Sequence, residues 1–174
     1  MTTQFGPSAL ATPANLLTVG RLVLTVPLLV MIVDTGATWP AVTLWTALCV
    51  TDGIDGRIAR RHGTTRSGAF LDPLADKVLV LGGLAALVAN DTFWWVPALI
   101  IGARELGIQA FRSYWGKKGL AVPATALAKA KTVFQEVAIG FGLLPLTATD
   151  ATWVANGVLW AAVALTVVTG AQYI

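Results

Sequence analysis

The sequence predicts an all-α integral membrane protein built from six transmembrane helices. Two observations carry that reading. Of the 174 residues, 56% are hydrophobic and only 12% are charged, about half the charged share of an average soluble domain, and the mean hydropathy is +0.72. The charges are also spaced so that six apolar segments remain, each close to the roughly 20 residues a helix needs to cross the hydrocarbon core. No segment alternates polar with apolar side chains throughout, which disfavours a transmembrane barrel. There is no linker long enough to separate domains, so the chain reads as a short leader, residues 1–14, followed by one six-helix domain, residues 15–174.

The first helix is expected at Asn15–Val33. The segment before it has no basic start and Arg21 interrupts the apolar run, which argues for a leader rather than a cleaved signal peptide. After the short turn at Asp34–Thr38, the second helix spans Trp39–Arg61 and holds the lone cysteine, Cys49, so no intrachain disulfide is possible. A basic turn, Arg61–Ser67, leads into the third helix, Gly68–Ala89, and Asn90-Asp91 into the fourth, Thr92–Tyr114. A Gly-punctuated basic turn closed by Pro123 precedes the fifth, Ala124–Leu146, and the sixth runs Thr152–Gln172.

Charge sets the orientation. All 12 Lys and Arg residues lie near the start of the first helix or around the second and fourth turns, whereas the other three turns carry Asp34, Asp91 and Asp150. By the positive-inside rule the basic side is cytoplasmic, with both termini on it, in a multi-pass protein of the inner membrane. Trp39, Trp94, Trp95 and Trp153 flank the opposite turns, as an outer aromatic belt would. The basic face suits anionic lipid headgroups or phosphorylated substrates; no nucleic-acid partner is expected.

Four aspartates interrupt this pattern. Asp52 and Asp55 are spaced i,i+3 at the cytoplasmic end of the second helix, and Asp72 and Asp76 i,i+4 at the start of the third. Each spacing puts a pair on one helix face, and the short turn makes the two helices antiparallel neighbours. Capping accounts for Asp72, which precedes Pro73, but not for Asp52 and Asp55 inside a helix. Clustered carboxylates near a bilayer are costly unless a cation binds them. Oxygen-only ligands select hard cations, and four carboxylates suffice for two divalent ions about 4 Å apart, the arrangement that clamps a transferring phosphoryl group. Gly53, Gly56 and Gly68 each weaken a helix by roughly 1 kcal/mol relative to Ala, but they open the backbone to a bulky ligand.

The stretch reads Asp-x2-Asp-Gly-x2-Ala-Arg, then seven residues, then Gly-x3-Asp-x3-Asp. It is similar to the signature of the CDP-alcohol phosphotransferase family at every fixed position: Asp52, Asp55, Gly56, Ala59, Arg60, Gly68, Asp72 and Asp76. The six-helix layout resembles that family along nearly the whole chain. The resemblance implies displacement of CMP from a CDP-linked lipid by an acceptor hydroxyl. It implies two divalent cations, Mg²⁺ or Mn²⁺, held by Asp52, Asp55, Asp72 and Asp76, with Asp76 also the candidate general base. The CDP-lipid would lie against Gly56, Ala59 and Gly68, with Arg60 near the phosphates and Thr18 beside them. A homodimer is implied by the family alone.

Further segments resemble the family members whose acceptor is glycerol 3-phosphate: Asn15–Arg21, Phe70–Lys77, Ala103-Arg104-Glu105, Arg112 and Lys129–Gln135. One departure is Ala128, where those members often carry Gly. The expected reaction joins CDP-diacylglycerol and sn-glycerol 3-phosphate to give phosphatidylglycerophosphate and CMP. Arg104, Arg112 and Lys131 are the candidates for the acceptor's phosphate, since buried cations need anions in return and guanidinium matches phosphate geometry. Glu105 is i,i+7 from Arg112 and Glu136 i,i+7 from Lys129, so internal pairing would offset part of this charge. Three other readings are an enzyme of the same family using inositol phosphate or phosphatidylglycerol, a divalent-cation transporter, and a scaffold that binds CDP-lipid without turnover.

Overall fold

The computed structural model describes residues 13–62, 68–118 and 126–171. All regular structure among them is helical: α1 (Pro13–Thr35), α2 (Trp39–His62), α3 (Gly68–Ala89), α4 (Trp95–Lys117), α5 (Ala126–Leu143), α6 (Pro145–Asp150) and α7 (Thr152–Ala171). Six of these match the expected long helices. The seventh, α6, was not expected, and its cause is local. Proline lacks an N–H and its ring clashes with the carbonyl four residues back. The fifth helix therefore stops at Leu143 rather than Leu146, and Pro145 sits in the first turn of α6. The Thr147 hydroxyl bridges the break, bonding to the main-chain oxygens of Phe141 and Leu144.

The α1–α2 and α3–α4 turns are pinned to one another. Gly36 ends α1 in the left-handed region at φ +67°, and its N–H reaches the Ile32 carbonyl at 2.9 Å, a C-cap that glycine adopts without strain. A Cβ there would stand 2.7 Å from the Asn90 side-chain oxygen. The Asn90 amide in turn donates to the Val33 carbonyl at 3.3 Å, tying the α3–α4 turn to α1.

α3 packs against α1, α4 and α5, while α5 also packs against α2 and α7. Leu28, Ile32, Trp45, Leu79, Leu84, Leu87, Ile139, Leu143 and Leu159 fill the shared core. Small residues let the backbones close on it. A Cβ on Gly82 would lie 2.7 Å from Leu29, one on Gly83 2.8 Å from Trp45, and one on Gly142 2.8 Å from Phe93. Close approach of this kind supports helix association where lipid removes the hydrophobic drive between helices. Trp45 serves three helices: it lies on α2, its ring covers Gly83 of α3, and its indole N–H donates to the Glu136 carbonyl of α5 at 3.1 Å.

Among the described residues, two helices, α1 over Asn15–Thr35 and α7, are long and apolar enough to cross a membrane, and only 28% and 33% of their apolar windows are buried. Their remaining apolar side chains, Val23, Val26 and Val30 on α1 and Val167 and Val168 on α7, face outward. Trp39, Trp94, Trp95 and Trp153 are likewise exposed.

Candidate active site

The carboxylates meet where α2, α3 and α5 converge. Asp52 of α2, Asp76 of α3 and Glu136 of α5 each offer an oxygen, and these oxygens lie within 4.8 Å of one another. Asp52 and Asp76 come from the expected cluster. Glu136 does not: its expected partner was Lys129 on its own helix, whose side chain lies outside the described residues. Packing of α5 against α2 and α3 turns Glu136 toward the aspartates instead. An acidic residue inside an apolar helix, as Glu136 is, was the signal that marked it.

α1 holds the aspartates from behind. The fully buried Thr18 hydroxyl donates to Asp72 Oδ1 at 2.7 Å, and Arg21, also buried, forms an ion pair with Asp52. Thr18 and Arg21 are i,i+3, so one face of α1 serves both helices of the cluster. Thr18 was expected to touch the CDP-lipid. In the structure its hydroxyl donates to Asp72. Asp72 is not an N-cap either, since α3 starts four residues earlier at Gly68 and Asp72 stands within the helix. Asp55, Gly56, Ala59 and Arg60 lie on α2 and Gly68 opens α3, but their side-chain surroundings lie outside the described residues.

A cavity of about 460 Å³ opens onto this point. Asp52, Asp76 and Glu136 line one part of it, and Lys77, Arg104, Arg112 and Lys131 another. The three expected acceptor-phosphate residues thus share one cavity with two of the four aspartates. Their internal pairing differs from expectation. Glu105 does not turn along α4 to Arg112, two turns away. It meets Lys77 of α3 at 3.2 Å, Arg104 at 3.0 Å, and Lys131 of α5. Residues i,i+7 on one helix stand roughly 10 Å apart, whereas neighbouring helices bring cations into direct contact. Arg104 also donates to Thr169 of α7 at 3.1 Å, and Gln135 beside the site donates to Thr166 at 3.1 Å.

A second cavity, about 440 Å³, lies between α2 and α5 and is mainly apolar, lined by Val42, Trp45, Val50, Val137, Phe141 and Leu144 among others. Cys49 and Glu136 border both cavities.

The donor set fits a hard divalent cation. Three carboxylates from three helices approach closely, and no thiolate or imidazole is among them. Without a cation between them, such a grouping is repulsive.

Comparison with known proteins agrees with this geometry. The family model described as CDP-alcohol phosphatidyltransferase matches residues 11–168. A Mycobacterium tuberculosis protein named probable phosphatidylglycerophosphate synthase is 39% identical over 177 aligned positions, covering 97% of this chain and 83% of the relative. An Escherichia coli protein named CDP-diacylglycerol–glycerol-3-phosphate 3-phosphatidyltransferase is 38% identical over 135 positions, covering 73% of this chain and 74% of the relative. With its signature residues on α2 and α3 and the match running across almost all of its length, this chain belongs to the CDP-alcohol phosphatidyltransferase family.

Proposed function

We infer that this protein transfers a phosphatidyl group from CDP-diacylglycerol to sn-glycerol 3-phosphate, releasing CMP and forming phosphatidylglycerophosphate for phospholipid synthesis. The observation that carries the choice of acceptor is the single cavity in which Arg104, Arg112 and Lys131 stand beside Asp52 and Asp76. The relatives' names point to the same substrates.

In this reading Asp52, Asp55, Asp72 and Asp76 hold two divalent cations, Mg²⁺ or Mn²⁺, and Glu136 is a further carboxylate for the same purpose. Bound there, the cations would neutralise the diphosphate and the charge that develops on departing CMP. Thr18 and Arg21 fix Asp72 and Asp52 from α1. Gly56, Ala59 and Gly68 leave room for the CDP moiety, and Arg60 reaches its phosphates. Arg104, Arg112 and Lys131 orient the acceptor through its phosphate. The acceptor's hydroxyl oxygen forms a bond to the phosphorus that carries diacylglycerol, while the bond from that phosphorus to the CMP oxygen breaks. The hydroxyl proton passes to a carboxylate oxygen of Asp76.

The same proposal places α1 to α5 and α7 as six membrane spans, with the basic turns, both termini and the active site on the cytoplasmic side of the inner membrane. The active assembly is taken to be a homodimer. The apolar outward faces of α1 and α7 support the embedding.

The deciding experiment is CMP release by purified protein given CDP-diacylglycerol and Mg²⁺ or Mn²⁺, with and without glycerol 3-phosphate. Release that depends on glycerol 3-phosphate is the expected result. Release with inositol phosphate or phosphatidylglycerol in its place would reassign the acceptor. Ion flux in liposomes without CMP release would identify a cation transporter.

A further inference from the structure

Glu105 is the one carboxylate among the described residues that meets three cations from three helices. Its Oε1 takes Arg104 of α4 at 3.0 Å and Lys131 of α5, and its Oε2 takes Lys77 of α3 at 3.2 Å. The residue is 9% exposed, so these contacts form with little competing water. Lysine and arginine side chains are long and lose considerable rotamer freedom when fixed. A buried anion bonded to all three removes that freedom before any ligand arrives. The charge count also matters. Three cations and one carboxylate leave a surplus of two positive charges at this wall of the cavity. A phosphate monoester carries about −1.5 to −2 at neutral pH, so this net-positive wall, with Arg112 on the same cavity, favours it.

We propose that Glu105 is a positioning residue for the acceptor. It gathers Lys77, Arg104 and Lys131 into one preformed cationic wall and trims their charge to suit a dianionic phosphate. The inference deepens the proposed function and rests on it. Glu105 touches neither the CDP-lipid nor the reacting atoms in this role. Its effect belongs to acceptor binding, not to the carboxylate centre formed by Asp52, Asp76 and Glu136.

The test is steady-state CMP release by the purified full chain, varying glycerol 3-phosphate and CDP-diacylglycerol in turn. Glu105→Gln keeps the shape and removes the charge that holds the three cations. KM for glycerol 3-phosphate should rise on the order of tenfold, while KM for CDP-diacylglycerol stays within about twofold. Glu105→Asp retains the charge on a shorter stem and should give a smaller shift in the same direction. If Glu105→Gln does not fold, Glu105→Asp decides alone, with a rise of about threefold or more confined to the acceptor expected. An unchanged acceptor KM in the folded variants, or equal changes in both KM values, overturns the role. Failure of the unsubstituted chain to release CMP overturns the proposed function itself, and this inference with it.

Discussion

The Thr18 hydroxyl on α1 donates to the Asp72 carboxylate on α3 across 2.7 Å, linking residues 54 positions apart. Partners that orient a metal-holding carboxylate typically contribute ten- to a hundredfold to metal affinity. Thr18→Val keeps the shape and deletes the donor. It should raise the Mg²⁺ or Mn²⁺ concentration giving half-maximal CMP release by about tenfold or more. Thr18→Ser, which keeps the hydroxyl, should stay near the parent.

Glu136 reaches Asp52 and Asp76 from a third helix. If it helps hold a cation, Glu136→Gln should weaken Mn²⁺ binding by roughly tenfold or more. Titration of the purified protein with Mn²⁺, followed by the ion's magnetic resonance signal, measures this without turnover. Unchanged Mn²⁺ affinity would remove Glu136 from the site.

Asp52 has two duties, as a candidate cation ligand and as the partner of buried Arg21. Asp52→Asn should abolish CMP release while the helical circular dichroism persists, because the amide keeps the shape of the carboxylate beside the guanidinium. Arg21→Met acts differently. It leaves Asp52, whose side chain is 33% exposed, without this counter-charge, so a loss of about 1–3 kcal/mol is expected. A lowered thermal midpoint in detergent checks this.

Gly83 and Gly20 form a matched pair for packing. A side chain at Gly83 would meet the Trp45 ring, whereas a Cβ at Gly20 meets nothing within 4 Å. Gly83→Leu should cost about 1–3 kcal/mol through overpacking. Gly20→Ala should be neutral or stabilising, by up to about 1 kcal/mol from helix propensity. Thermal unfolding of both variants gives the contrast.

Much of this was legible in the sequence because the relevant signals are local. Apolar run length located the long helices, and the aspartate motif contained two of the three carboxylates that meet, Asp52 and Asp76. Arg104, Arg112 and Lys131 were traced to one cavity because they lie on the two helices that flank the second basic turn. What stayed hidden depends on how helices rotate against one another. Glu136 is 84 positions from Asp52, and nothing in its own segment tells which way it faces. Glu105 had a candidate partner along its own helix, but contacts between helices were nearer. The break at Pro145 was visible as a residue type but was overridden by the apolar run around it.

Trp45 has a consequence for the whole reactive end. Its indole separates Gly83 from α2 and is tethered to the main chain of Glu136. Trp45 precedes Asp52 by seven residues and Gly83 follows Asp76 by seven, so the ring sits about two turns below both carboxylates. The dimensions of one aromatic plate therefore gauge three spacings at once. The mutual distances of the three carboxylates thus rest in part on an oily layer two turns away, and a change to that ring bears on α2, α3 and α5 together.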